Sequence, residues 1–179
     1  MKKYIVPVNK PNLLGKEKKY LLKCLNDGFI SSSGQFVREF EKKFAKRLNR
    51  KFAISVCNGT AALQLAFESL NIKKKDEVIL PSFTIISCIL PIIRSGAIPI
   101  LIDSDPITWN MDVNKIEKKI TSRTRAIIAP HIYGLPIDLD PLLKIAKKHK
   151  LKVIRWKIKI VSFVNVFQAF VLNHLTISP

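Results

Sequence analysis

Four short turns hold most of the side chains that could do chemistry: Cys57-Asn58-Gly59-Thr60-Ala61-Ala62, Pro81-Ser82-Phe83-Thr84, Asp103-Ser104-Asp105 and His131-Ile132-Tyr133-Gly134. In the first, Gly59 permits a tight turn and Thr60 supplies a hydroxyl. The amides of Thr60 and Ala61 would open a helix, where the dipole favours an anion. Asn58 stands where a cap belongs. The chemistry suggested is phosphate binding. Asn-Gly-Thr alone is more often a plain cap. It lacks the glycine spacing of a dinucleotide loop and the Gly-Lys-Ser/Thr of a nucleoside triphosphate loop. The other turns have plain readings too: Pro-Ser as a turn, the Asp pair as a loop or cap, His131 beside Tyr133 as structural.

The elements that must position these turns follow from apolar spacing. Helices are expected over 15–26, with Gly28 as a stop, and over 35–48, where Phe36, Phe40, Phe44 and Leu48 form a stripe. Further helices are expected over 60–70, 85–94, 112–120 and 139–149. Strands are expected over 51–57, 77–80, 98–102 and 125–131, and 151–154 is expected to start another. Strands without polar alternation, separated by helices, predict an α/β layered fold with a mainly parallel sheet, buried on both faces. In such a sheet ligands gather at the carboxyl ends of the strands, where the four turns should meet.

Apolar residues make up 47% of the 179-residue chain, enough for a core. Net charge is +18, and residues 141–179 contain eight Lys or Arg and no acid. A nucleic-acid or anionic-surface role is the reading such charge invites. The lysines come as scattered pairs without interleaved aromatics, so a solvated basic surface is preferred and nucleic acid is not expected. Cys24, Cys57 and Cys88 form neither a metal pair nor a redox pair, which fits free thiols in a cytoplasmic protein; no metal is expected. Lys2 and Lys3 precede no apolar run, and the apolar stretch near 161–172 is short for a bilayer, so neither a signal peptide nor a membrane span is expected.

Taken together the motifs are specific. GFISSSG at 28–34, NGTAAL at 58–63, DEVILPSFTIISC at 76–88, DSDPITWNMD at 103–112 and HIYG at 131–134 resemble, in order and spacing, the N-terminal half of the pyridoxal-phosphate-dependent sugar aminotransferases of the DegT/DnrJ/EryC1/StrS family. PSFTIISC and DSDPITWNMD resemble its GDP-perosamine synthase branch. The resemblance covers about 5–154 and implies a fold-type-I large domain, in part, with three layers. It implies pyridoxal 5'-phosphate at a homodimer interface, its phosphate on Gly59, Thr60 and Ala61. Ile85 would pack over the cofactor ring where other members often carry an aromatic residue, with Phe83 able to contribute. Ser31, Ser32 and Gly34 would lie near the nucleotide-linked sugar, and His131 and Tyr133 would support the site edge. The implied reaction moves an amino group, commonly from glutamate, to a nucleotide-linked 4-keto-6-deoxy sugar for surface polysaccharide.

That reaction needs a Schiff-base Lys and a carboxylate on the pyridine nitrogen. In the family the carboxylate lies in a Glu-Asp-Ala-Ala run directly after the strand read here as Lys152-Val153-Ile154; here Arg155-Trp156-Lys157 follows. A guanidinium there would lower the proton affinity of the ring nitrogen. The Schiff-base Lys is expected beyond residue 179, and neither Lys157 nor Lys159 has the family context. The expectation is therefore 1–154 as the N-terminal part of an aminotransferase large domain, 155–179 as out-of-frame sequence, and no catalysis by this chain alone. A non-catalytic module that binds phosphate or pairs with an intact subunit is the alternative. Poor solubility in isolation is also expected, because a partial sheet leaves apolar surface uncovered.

Overall fold

The computed structural model describes residues 14–157 and 168–170. Its centre is a parallel sheet of four strands: β2 (Glu77–Pro81), β3 (Ile98–Ile102), β4 (Thr124–His131) and β5 (Lys152–Lys157), in the order β3-β2-β4-β5. The register pairs Ile79 with Ile100 and Ile127, and Ile127 with Val153. β2 is buried throughout and β4 nearly so, which is why their sequences run apolar without alternation. β3 lies at one edge, and Leu101 on it is exposed.

Helices cover both faces. One layer is α3 (Gly59–Glu68) with α4 (Leu90–Arg94); its core joins Leu63, Ala66 and Phe67 to Val78, Leu80, Ala126, Ile128 and Ile154. The other is α5 (Leu139–Lys148), whose Leu142 and Ala146 pack with Ile79, Ile127, Ala129 and Val153. Odd and even strand positions thus feed opposite cores, the period-two geometry of a pleated sheet. Before the sheet come α1 (Glu17–Asn26) and α2 (Gln35–Arg47). α1 buries no residue, and Tyr20, Leu21, Leu22 and Leu25 lie exposed along it.

Three expectations change. The strand expected over 51–57 is only β1 (Ile54–Val56); it is half-buried and lies outside the parallel sheet, antiparallel to β6 (Gln168–Phe170). Local sequence cannot reveal a partner more than a hundred residues away. The helix expected over 85–94 is a 3₁₀ turn, Ile86–Cys88, followed by α4, because Pro91 admits only a helix start. The helix expected over 112–120 is two 3₁₀ turns, Val113–Lys115 and Glu117–Lys119. The strand expected to start over 151–154 is β5, which runs to Lys157. Most of the segment read as out of frame, 158–167 and 171–179, falls outside the described residues.

Candidate active site

The order β3-β2-β4-β5 places a switch point between β2 and β4, since the chain leaves β2 for β3 on one side and returns to β4 on the other. Connections diverge there, which opens a crevice at the carboxyl ends. The turns after β2 and β4 border it. The turn after β1 belongs to the other sheet, yet one hydrogen bond brings it to the same place: Thr60 Oγ1 lies 2.8 Å from Ser87 Oγ, in the 3₁₀ turn that follows β2. Ser87 was not singled out by sequence reasoning. Its only signal was a third hydroxyl in the Ser82, Thr84, Ser87 run.

The start of α3 is built as a cap. Asn58 is extended, and its Oδ1 accepts the Ala61 amide at 2.9 Å while its carbonyl accepts that of Ala62 at 3.1 Å. Ala61 is therefore not a free amide donor as expected; Asn58, which could cap, has taken it. Gly59 and Thr60, the first two helical residues, keep amides with no partner inside the helix. In the Thr60–Ser87 pair one hydroxyl donates and the other keeps its own proton to give. Two amides, one hydroxyl proton and a helix dipole make a seat for a phosphate-class anion. Beneath it Thr84 Oγ1 donates to Cys88 Sγ at 3.3 Å, and burial pushes the Cys88 thiol up, so it stays neutral.

Beside this seat lies an apolar rim. Phe83 and Ile85 are each 41% exposed, and the Phe83 ring meets Trp109 at 5.5 Å. Trp109 and Tyr133 have left-handed backbones, at φ 60° and 48°. Asn110, 3% exposed, holds the two turns together. Its Nδ2 donates to the Leu135 carbonyl and its Oδ1 accepts the Ile132 amide, both at 3.2 Å. Neither Trp109 nor Asn110 was picked out from sequence. His131 is 8% exposed, and its Nδ1 accepts the Ile137 amide at 3.1 Å, while Tyr133 stands in solvent.

The remaining sequence candidates are dispersed. Asp105 accepts from the Ile107 and Thr108 amides and the Thr108 hydroxyl; the Thr108 amide leads in holding its carboxyl below the usual range. Asp103 pairs with Lys115. These acids close their own loop. Ser31 and Ser32 are exposed and Gly34 precedes α2; the Ser31–Ser33 and Arg38–Ser33 hydrogen bonds are local to that loop. A Cβ on Gly34 would touch Phe29 at 3.4 Å. Arg155 lies beside Ala129 on β5, and burial, with Arg50 nearby, holds its guanidinium below the usual range. Among the described residues no three His, Cys, Asp or Glu are grouped to hold a metal ion, and no helix is long and apolar enough to cross a membrane.

The chain is 47% identical over 152 residues to a GDP-perosamine synthase of Escherichia coli O157:H7, covering 85% of this chain and 42% of that protein. It is 46% identical over 149 residues to a GDP-perosamine synthase of Caulobacter vibrioides, covering 83% and 40%. The structure superposes on an aminotransferase from Psychrobacter cryohalolentis with a TM-score of 0.77 at 34% identity, covering 81% of this chain and 37% of that one. It also superposes on a putative sugar aminotransferase of Streptococcus pneumoniae in its PLP form, with a TM-score of 0.77 at 28% identity, covering 82% and 37%. The chain thus spans about two fifths of the length of these relatives. A family profile matches residues 11–155, and the chain belongs to the DegT/DnrJ/EryC1/StrS aminotransferase family.

Proposed function

We propose that this chain forms the phosphate-holding part of a pyridoxal-phosphate-dependent sugar-nucleotide aminotransferase of the perosamine type. The observation that carries this is the Thr60–Ser87 hydroxyl pair at the capped start of α3. Gly59, Thr60 and Ser87 would hold the cofactor phosphate through amides and a hydroxyl, with Ala61 contributing through its place in the first turn. Phe83 and Ile85 would exclude water from one face of the ring. The bound cofactor would supply an electron sink for moving an amino group from glutamate to a 4-keto sugar nucleotide. The phosphate end fits the residues present. The ring-nitrogen end does not, because Arg155-Trp156-Lys157 follows β5's Lys152-Val153-Ile154 where the resemblance implies a carboxylate, and no step is assigned through that nitrogen.

That mismatch favours a second, compatible reading: alone, the chain binds phosphate without transaminating, as a non-catalytic or partner-completing unit. Its partner would be a second copy or an intact subunit, packed on the exposed apolar side of α1, with Ser31, Ser32 and Gly34 facing the sugar nucleotide across the interface. We place the protein in the cytoplasm and take 155–179 as lying outside the aminotransferase part. The test is a titration of the purified chain with pyridoxal phosphate, followed by fluorescence quenching and repeated with inorganic phosphate as competitor. Thr60→Val is expected to weaken binding at least tenfold, since a hydrogen bond to a charged group contributes about 1.5–3 kcal/mol. Binding unchanged by Thr60→Val and by Ser87→Ala would overturn the reading.

A further inference from the structure

A second concave site lies at the opposite end of the sheet, beneath the amino ends of β2, β4 and β5. Its volume is about 300 Å³, and Lys73, Asp76, Arg125, Lys150 and Lys152 line it together with apolar and amide groups. Asp76 is its one acid and is already engaged: Oδ2 accepts the Lys73 amide at 2.9 Å, and Oδ1 lies 3.5 Å from Arg125 Nε. Arg125 also donates to the Ser122 and Thr124 carbonyls. Lys73, Lys150 and Lys152 have no carboxylate partner among the described residues. Nearby Lys148, by contrast, is paired with Glu117 at 2.7 Å.

Three unpaired ammonium groups around one cavity repel each other, and their repulsion is relieved by an anion bridging them. The cavity size suits a small ligand rather than a chain. Lysines, as mobile point charges without a planar fork, suit the multiple oxygens of a phosphate more than a single carboxylate. We propose that this pocket binds a small, multiply charged phosphate-class anion, independently of the seat at α3.

The probe is pyrophosphate, titrated calorimetrically into the full chain at low ionic strength, with inorganic phosphate and a nucleoside diphosphate as parallel arms. A saturable site additional to the α3 seat is expected, retained in Thr60→Val, tighter for pyrophosphate than for phosphate and weakened by added salt. A nucleoside diphosphate binding more tightly than pyrophosphate would assign the source as a nucleotide; equal or weaker binding would assign the free anion. Lys73→Gln, Lys150→Gln and Lys152→Gln should each weaken binding about fivefold, whereas Lys42→Gln on α2 should leave it within twofold. All four side chains lie at the surface or half-exposed, so unchanged circular dichroism is expected throughout. The proposal fails if no saturable binding occurs, or if Lys42→Gln weakens it as much as the pocket changes. It also fails if Thr60→Val alone abolishes it, since the anion would then sit at α3.

Discussion

Replacing Glu77 by Gln should destabilise the chain by about 3 kcal/mol at pH 7. Glu77 opens β2 with its side chain 3% exposed. Thr121 donates its hydroxyl to Oε2 at 2.5 Å and Thr124 does so at 3.2 Å. Arg123 gives Nε and Nη2 to Oε1 at 2.9 and 2.7 Å. Each Thr hydroxyl is already an acceptor: Thr124 Oγ1 takes the Thr121 amide and Thr121 Oγ1 takes the Arg123 amide. Their own protons are therefore committed to the carboxylate. A Gln amide oxygen could keep Arg123, but its NH₂ would face two hydroxyl protons. Two charge-assisted bonds at about 1.5–3 kcal/mol each are lost, less whatever rotation recovers. Arg123 is 62% exposed, so its charge is screened by water and the hydroxyls carry most of the effect.

The pH dependence separates this account from a simple packing defect. The Thr121 hydroxyl leads in holding the Glu77 carboxyl below its ordinary range. A carboxyl lowered in the folded state stabilises above its unfolded pKa and loses that contribution as pH falls through the folded value. The gap between wild type and Glu77→Gln, read from urea unfolding, should be constant from pH 7 to 5 and narrow below about 4. A gap under about 1 kcal/mol at pH 7, or one that persists unchanged at pH 3, refutes the reasoning.

Asn110→Ala should cost about 3 kcal/mol in the same assay, because it leaves the Ile132 amide and Leu135 carbonyl without their buried partner. In a Trp156→Phe background it should also shift the Trp109 emission to the red. Leu63→Ala should cost about 3–5 kcal/mol, since Leu63 is fully buried and ties α3 to the sheet. A loss below 1 kcal/mol in denaturant unfolding would show that α3 is held some other way.

The sequence determined the local matters. Continuous apolar runs at 78–80 and 126–130 could bury only in a sheet covered on both faces, and they did so within β2 and β4. Asn58-Gly59-Thr60 encoded a capped helix start, and Gly28, at φ 70°, closed α1 where a glycine was needed. The absence of acids over residues 141–179 was legible as well, since composition needs no structure to be seen.

Tertiary structure decided what depends on distant partners. Strand order put β4 rather than β3 on the inner side of β2, and so placed the crevice. β1 left the parallel sheet for residues 168–170, and still Thr60 found Ser87 across 27 positions of chain. Asn110 was an ordinary loop residue in sequence and became a buried clasp only because two turns converge on it. The basic pocket joins side chains from three strand starts, so no linear pattern could show it. Helix caps and strand burial follow from each segment's own backbone and side chains. Which segments meet depends on how all the apolar faces are buried at once, and that is settled only by the folded chain.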